Sequence, residues 1–65
     1  MQDRNDVIRQ IEERLGSEGN WDAAERCFDV LTAQGDRLTF DPGEGYTLHT
    51  MDEAEWQALL VAADA

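Results

Sequence analysis

The sequence has no lysine, one cysteine, one histidine and no long apolar run. The longest uncharged apolar stretch, Ala58 to Ala63, falls far short of the roughly 20 residues that span a bilayer. No basic segment precedes an apolar stretch near the start, so no secretory leader is expected. A single cysteine, Cys27, cannot close an internal disulfide and suits a reducing cytoplasm. Cations are scarce: five arginines stand against 15 Asp and Glu, giving a formal net charge of -10 and a pI near 4.1. Such a balance repels phosphates and argues against direct binding to nucleic acid. A length of 65 residues allows one domain with a single small core. It leaves little room for a cofactor fold or a deep substrate pocket. Apolar residues nonetheless reach 42%, unlike a disordered acidic tail.

Apolar periodicity divides the chain into three helices and a hairpin. Asp3 to Leu15 reads as the first helix, because Val7, Ile8, Ile11 and Leu15 fall within one arc about 100° wide. Gly16 is its expected stop, Ser17-Glu18-Gly19-Asn20 a connector, and Asn20 the cap of the next helix. That second helix covers Trp21 to Gln34, closed by Gly35. Trp21, Ala24, Phe28 and Leu31 form its apolar stripe, widened by Cys27 and Val30, while Asp22, Glu25 and Asp29 lie opposite.

After Asp36 the period becomes two. Leu38 and Phe40 alternate with polar residues, as do Tyr46 and Leu48 beyond the turn signal Asp41-Pro42-Gly43-Glu44-Gly45. A three-residue loop ending in a left-handed glycine and a bulge keeps all four apolar side chains on one face, so Phe40 and Tyr46 are assigned to the hairpin core. Thr50, with Glu53 three residues on, then reads as a capping box opening the last helix. Trp56, Leu59, Leu60 and Ala63 share one side of it, and Val61 lies elsewhere. The expected architecture is a small single α+β domain over residues 1–65, in the order helix, helix, β-hairpin, helix (ααββα).

Chemistry-bearing patterns are sparse. Cys27 belongs to an apolar stripe and reads as a packed thiol, and His49 as a hairpin-edge side chain; neither has a second soft ligand at metal spacing. The turn glycines belong to the hairpin rather than to a phosphate loop, and the acids do not follow calcium-loop spacing. No catalytic residue, metal ligand or cofactor is assigned, and a non-enzymatic binding protein is expected.

The charge is the remaining signal. Solubility of a small domain usually takes a net charge of magnitude ~2–8, which -10 exceeds. Salt adaptation, which missing lysine would suit, is one alternative, although arginine for lysine also follows from a GC-rich genome. The other is mimicry of nucleic-acid charge. A compact chain of this length has a radius of gyration of roughly 11 Å and a width near ~28 Å. Duplex DNA of that length carries on the order of 16 phosphates. Asp22, Glu25 and Asp29 would present carboxylates on successive turns, about 5–6 Å apart. They are the first candidates for a partner-binding surface. Asp6 and Glu13 on the first helix, Glu44 at the hairpin tip, and Glu53 and Glu55 on the last helix are the others. Arg26, between Asp22 and Asp29 in helical spacing, is expected to pair with them. Trp21 and Trp56 fit the core at their spacings, or would anchor an interface if partly exposed.

Asp3-Arg4-Asn5, Ile8, Gln10-Ile11, Gly16, Ala24-Glu25-Arg26, Leu31, Arg37-Leu38-Thr39-Phe40-Asp41 and Gly45 carry a further signal. Their order and spacing, over about residues 3 to 48, resembles a group of small phage-encoded anti-CRISPR proteins that act on type I systems. The last helix, with Trp56, departs from that pattern. The resemblance implies binding to Cascade, the crRNA-guided surveillance complex, in the host bacterial cytoplasm. Members of the group block either target DNA recognition or nuclease recruitment. The acidic charge favours the first route, at a basic DNA channel or the PAM-reading site, with the Cas8-type large subunit as the preferred contact. The expected protein is a monomer or weak homodimer with no membrane or nucleic-acid contact of its own, its dimer patch centred on Val61 and Met51. The alternatives are an acidic inhibitor of another DNA-binding protein and a salt-adapted structural domain.

Overall fold

A computed structural model describes residues 2–16 and 20–64. Most of the predicted connector, Ser17 to Gly19, lies outside the described residues. The elements follow as α1 (Arg4–Leu15), α2 (Trp21–Gln34), β1 (Leu38–Asp41), β2 (Gly45–Leu48) and α3 (Glu53–Asp64). This is the predicted α+β order, ααββα. No helix among the described residues is long and apolar enough to cross a membrane.

The apolar stripe of α2 organises the rest. Ala24, Cys27, Phe28 and Leu31 are all buried, and α1, α3 and β1 each pack against this helix. From α1 come Val7, Ile8 and Ile11, none with any exposed surface; Trp56 and Leu59 come from α3, Leu38 from β1 and Met51 from the segment before α3. Leu15, Trp21, Tyr46, Leu48 and Leu60 seal the margins as half-buried side chains. Removing these groups from water is the main stabilising term, roughly 1.5–3 kcal/mol for each large aliphatic side chain.

The helix ends show which local signals the chain uses. Asp3 caps α1 in a reciprocal box: its carboxylate accepts the Asp6 amide at 2.9 Å, and Asp6 accepts the Asp3 amide at 3.1 Å. Gly16 and Gly35 stop α1 and α2 at φ 68 and 79, where a side chain would be strained. Asn20 stands at the N-cap position of α2 without making a side-chain cap bond, contrary to expectation; its carbonyl takes the Ala24 amide at 3.0 Å.

The cap of α3 also differs from the reading of Thr50 with Glu53. Asp52 accepts the Glu55 amide at 2.8 Å, and Glu55 accepts the Asp52 amide at 3.3 Å. The box is shifted because Met51 is drawn into the core at 9% exposure. Met51 at N′ and Trp56 at N4 then hold the two positions of a hydrophobic staple. Burial of Met51 also removes it from the predicted dimer patch, leaving Val61 exposed without it.

The hairpin pairs Leu38 with Leu48, Phe40 with Tyr46 and Asp41 with Gly45. Its loop is the three residues 42–44, and Gly45 adopts the left-handed φ of 86 that the turn requires. The four apolar residues share one face, but Phe40 does not enter the core as expected: it is 61% exposed. The helices cover the end of the hairpin nearest α2, where Leu38 is buried, and Phe40 lies beyond them toward the turn. Its ring rests on Tyr46 at 4.9 Å, which in turn meets the edge of Phe28 at 5.2 Å. Absent from the sequence reading is a parallel bridge of Gln2 to β2, where the Tyr46 amide donates to the Gln2 carbonyl at 2.8 Å.

Asp52→Ala should therefore destabilise the domain by about 1 kcal/mol, with Thr50→Ala close to neutral. Thermal unfolding followed by circular dichroism separates the two; equal losses would restore Thr50 as the cap.

Candidate partner-binding surface

Three of the five arginines stitch elements together, and they decide which acids remain uncompensated. Arg4, on the first turn of α1, reaches Glu25 on α2 at 3.0 Å and Asp29 at 4.0 Å. Its guanidinium also lies 5.2 Å from the centre of the Phe28 ring. The predicted stripe of Asp22, Glu25 and Asp29 is thus clamped at two of its three members by another helix. Arg26, the expected partner, makes no ion pair with Asp22 or Asp29 among the described residues. Arg4 takes the role because the start of α1 packs directly over this side of α2.

Arg14 bonds Glu53 and lies 5.3 Å from the Trp56 ring, covering a tryptophan that is itself only 8% exposed. Trp56 is a core residue, not an interface anchor. Arg37 bonds Glu55 and reaches Asp36 at 3.4 Å. Asp6 and Glu55 are further committed as caps. The eight candidate acids therefore separate into two sets. Glu25, Asp29, Asp6, Glu53 and Glu55 have structural partners. Asp22, Glu13 and Glu44 are exposed with no ion pair among the described residues.

These three do not form the continuous helical stripe expected from spacing alone. Glu13 stands near the end of α1, Asp22 on the first turn of α2, and Glu44 on the hairpin tip. The body that carries them measures 31 × 23 × 19 Å, with a radius of gyration of 11.1 Å. Its long axis matches a DNA segment bearing about 18 phosphates, close to the carboxylate count of 15.

Among the described residues, two titrating groups are displaced from their ordinary values. Burial pushes the Cys27 thiol up, outweighing the opposing pull of Arg26, so the thiol stays protonated. A packed thiol at 1% exposure matches the sequence reading. Glu53 is held below the usual carboxylate range by the Gln57 amide at 3.0 Å, and then by the hydrogen bond and charge of Arg14. His49 is exposed at the hairpin edge, its Nε2 3.2 Å from the Thr39 hydroxyl. Among the described residues no His, Cys, Asp and Glu gather into a metal-binding group.

Beyond the molecule itself, no family model, curated protein or solved structure matches the chain.

The Glu53 linkage has a definite sign. A carboxyl depressed in the folded state adds stability above its unfolded pKa, lost as pH falls through the folded value. Carbon-13 titration should show Glu53 ionising below an ordinary glutamate, and Gln57→Ala with Arg14→Ala should return it to the ordinary range. An unchanged Glu53 titration in the double variant would exclude these partners as the cause.

Proposed function

We propose that the chain is an inhibitory binding protein whose acidic surface competes with target DNA for the basic channel of Cascade, a type I anti-CRISPR activity. The single observation that carries the reading is the charge. Ten net negative charges lie on a body 31 Å long, and three exposed candidate acids, Asp22, Glu13 and Glu44, pair with no cation among the described residues. The order and spacing of residues from Asp3 to Leu48, which resembles the anti-CRISPR group, supplies the partner.

Physically, such a surface works first on the encounter. A groove built for phosphates has a positive potential over several ångströms, which steers an acidic domain toward it and raises the association rate. The paired acids contribute differently from the free ones. Glu25 and Asp29 are held in place by Arg4, so they lose less side-chain entropy on binding, but their field is partly cancelled. Asp22, Glu13 and Glu44 present the full charge at the expense of mobility. A large, Cas8-type subunit that reads duplex DNA offers the complementary surface.

Purified Cascade, labelled target duplex and increasing amounts of this protein should show loss of DNA binding, and that loss should weaken as salt rises. Replacing Asp22, Glu13 and Glu44 together by Asn or Gln should weaken inhibition about tenfold or more and leave the unfolding temperature unchanged or higher. Normal DNA binding with failed cleavage would transfer the mechanism to nuclease recruitment. Absence of any retained Cascade subunit would overturn the assignment.

A further inference from the structure

The register of the hairpin fixes which backbone groups face outward. His49 donates its amide to the Arg37 carbonyl at 2.9 Å, which makes Arg37 and His49 a hydrogen-bonded pair. Alternation then assigns the next hydrogen-bonded pairs to Thr39–Thr47 and Asp41–Gly45. Leu38 and Phe40 must therefore turn their N–H and C=O groups away from β2, toward the outer edge of β1. The equivalent amide of Tyr46, on the other side of the hairpin, is satisfied by Gln2. That of Phe40 is not. Among the described residues no group bonds the outward N–H or C=O of Phe40, and neither α1 nor α3 packs against β1.

Of the two β1 residues whose backbone groups face outward, Leu38 is 5% exposed and Phe40, taken as a whole residue, 61%. Proteins usually blunt such an edge with lysine, proline or an inward charge. The strand Leu-Thr-Phe-Asp contains none of these facing the core. Instead, exposed acids lie along the chain on either side of it: Asp36 before the strand, which pairs with Arg37 at 3.4 Å, Asp41 at its end, whose Oδ1 accepts the Gly43 and Glu44 amides at 2.7 and 3.2 Å, and Glu44 on the turn. Arg37, just before the strand, is already engaged by Glu55 and Asp36.

We propose that the β1 edge at Phe40 is a docking site for an extended basic segment of a partner protein. One residue of that segment pairs with the Phe40 N–H and C=O, as in strand addition. The Phe40 ring, braced from behind by Tyr46, gives the pairing its apolar anchor. Asp41 and Glu44, on the turn side of Phe40, receive lysine or arginine side chains of that segment. A second copy of this chain is a poor occupant, because each copy carries -10 and brings the same acids to the edge. The inference shares with the proposed function only the premise of a basic partner. Its test contains no Cascade, so either reading can fail alone.

The probe is a short capped peptide alternating lysine with valine, and the control is its glutamate–valine counterpart. Hydrogen exchange of the nitrogen-15-labelled protein should show the Phe40 amide slowed at least about tenfold by the basic peptide and unaffected by the acidic one. Backbone N-methylation of Phe40, in a synthetic chain, removes the outward donor but spares the hairpin's own ladder. It should weaken the peptide about fivefold, and Phe40→Ala should weaken it as well. Equal binding by both peptides would overturn the proposal, as would unchanged affinity after N-methylation or peptide protection confined to α2. Protection of Phe40 that rises with protein concentration in the absence of peptide, with a dimer in sedimentation, would also overturn it and assign the edge to a second copy.

Discussion

Burial of the α2 stripe is the constraint on which everything else rests. A chain this short has one opportunity to build a core, and it places Ala24, Cys27, Phe28 and Leu31 of one helix at the centre. Helix α1 contributes Val7, Ile8 and Ile11 to that surface, and α3 contributes Trp56 and Leu59. The hairpin could not stand alone; it is held because Leu38 enters the same core and Tyr46 packs on Phe28. An isolated two-stranded sheet thereby becomes a rigid platform, and its turn projects past the helices. Exposure of Phe40 is the geometric consequence, since a strand longer than its supporting helix face must leave its far end uncovered.

Local periodicity carried most of the fold. The bounds of α2, the four hairpin residues on one face and the left-handed Gly45 all follow from patterns within a few positions. What was not legible depends on contacts between distant residues. Nothing near Arg4 in sequence indicates that it will clamp Glu25, 21 positions away, and Arg26 offered a tempting local partner. The cap of α3 was legible in part, because Asp52 and Glu55 satisfy the same spacing rule as Thr50 and Glu53. The choice between them is made by Met51, whose burial sets where the chain enters the helix. The acidic stripe suffered the same fate as the Arg26 pairing: helical spacing put Asp22, Glu25 and Asp29 on one side, but tertiary packing laid the start of α1 over two of them.

The arginines connect stability to the acidic surface. Arg4 joins α1 to α2, Arg14 joins α1 to α3, and Arg37 joins the segment before β1 to α3. These are surface pairs, each worth about 0–1 kcal/mol, so they orient elements more than they hold the domain together. Their larger effect is on the field. Three of the five arginines stand at these joints, and the acids elsewhere, at Glu13, Asp22, Asp41 and Glu44, lie on exposed faces. Arg14 also lays its guanidinium over Trp56, which shields the aromatic ring and a carboxylate with one side chain.

The same acidity acts with opposite sign on folding and on binding. Fifteen carboxylates on a body 31 Å long repel one another, so the native state is weakened by its own field at low ionic strength. Added salt screens that repulsion and favours the fold, while it weakens attraction to a basic partner over separations beyond about 8–10 Å. A domain shaped only for a salty interior gains from screening and loses nothing by it. A domain shaped to hold a cationic groove keeps a self-repulsion that serves it only when the partner's charges neutralise it. Complex formation would then relieve strain already present in the free protein, so part of the driving force resides in the unbound surface. This coupling links the surplus of acids, the placement of the arginines and the small core: α2 must be buried tightly enough to withstand the self-repulsion of the acidic surface.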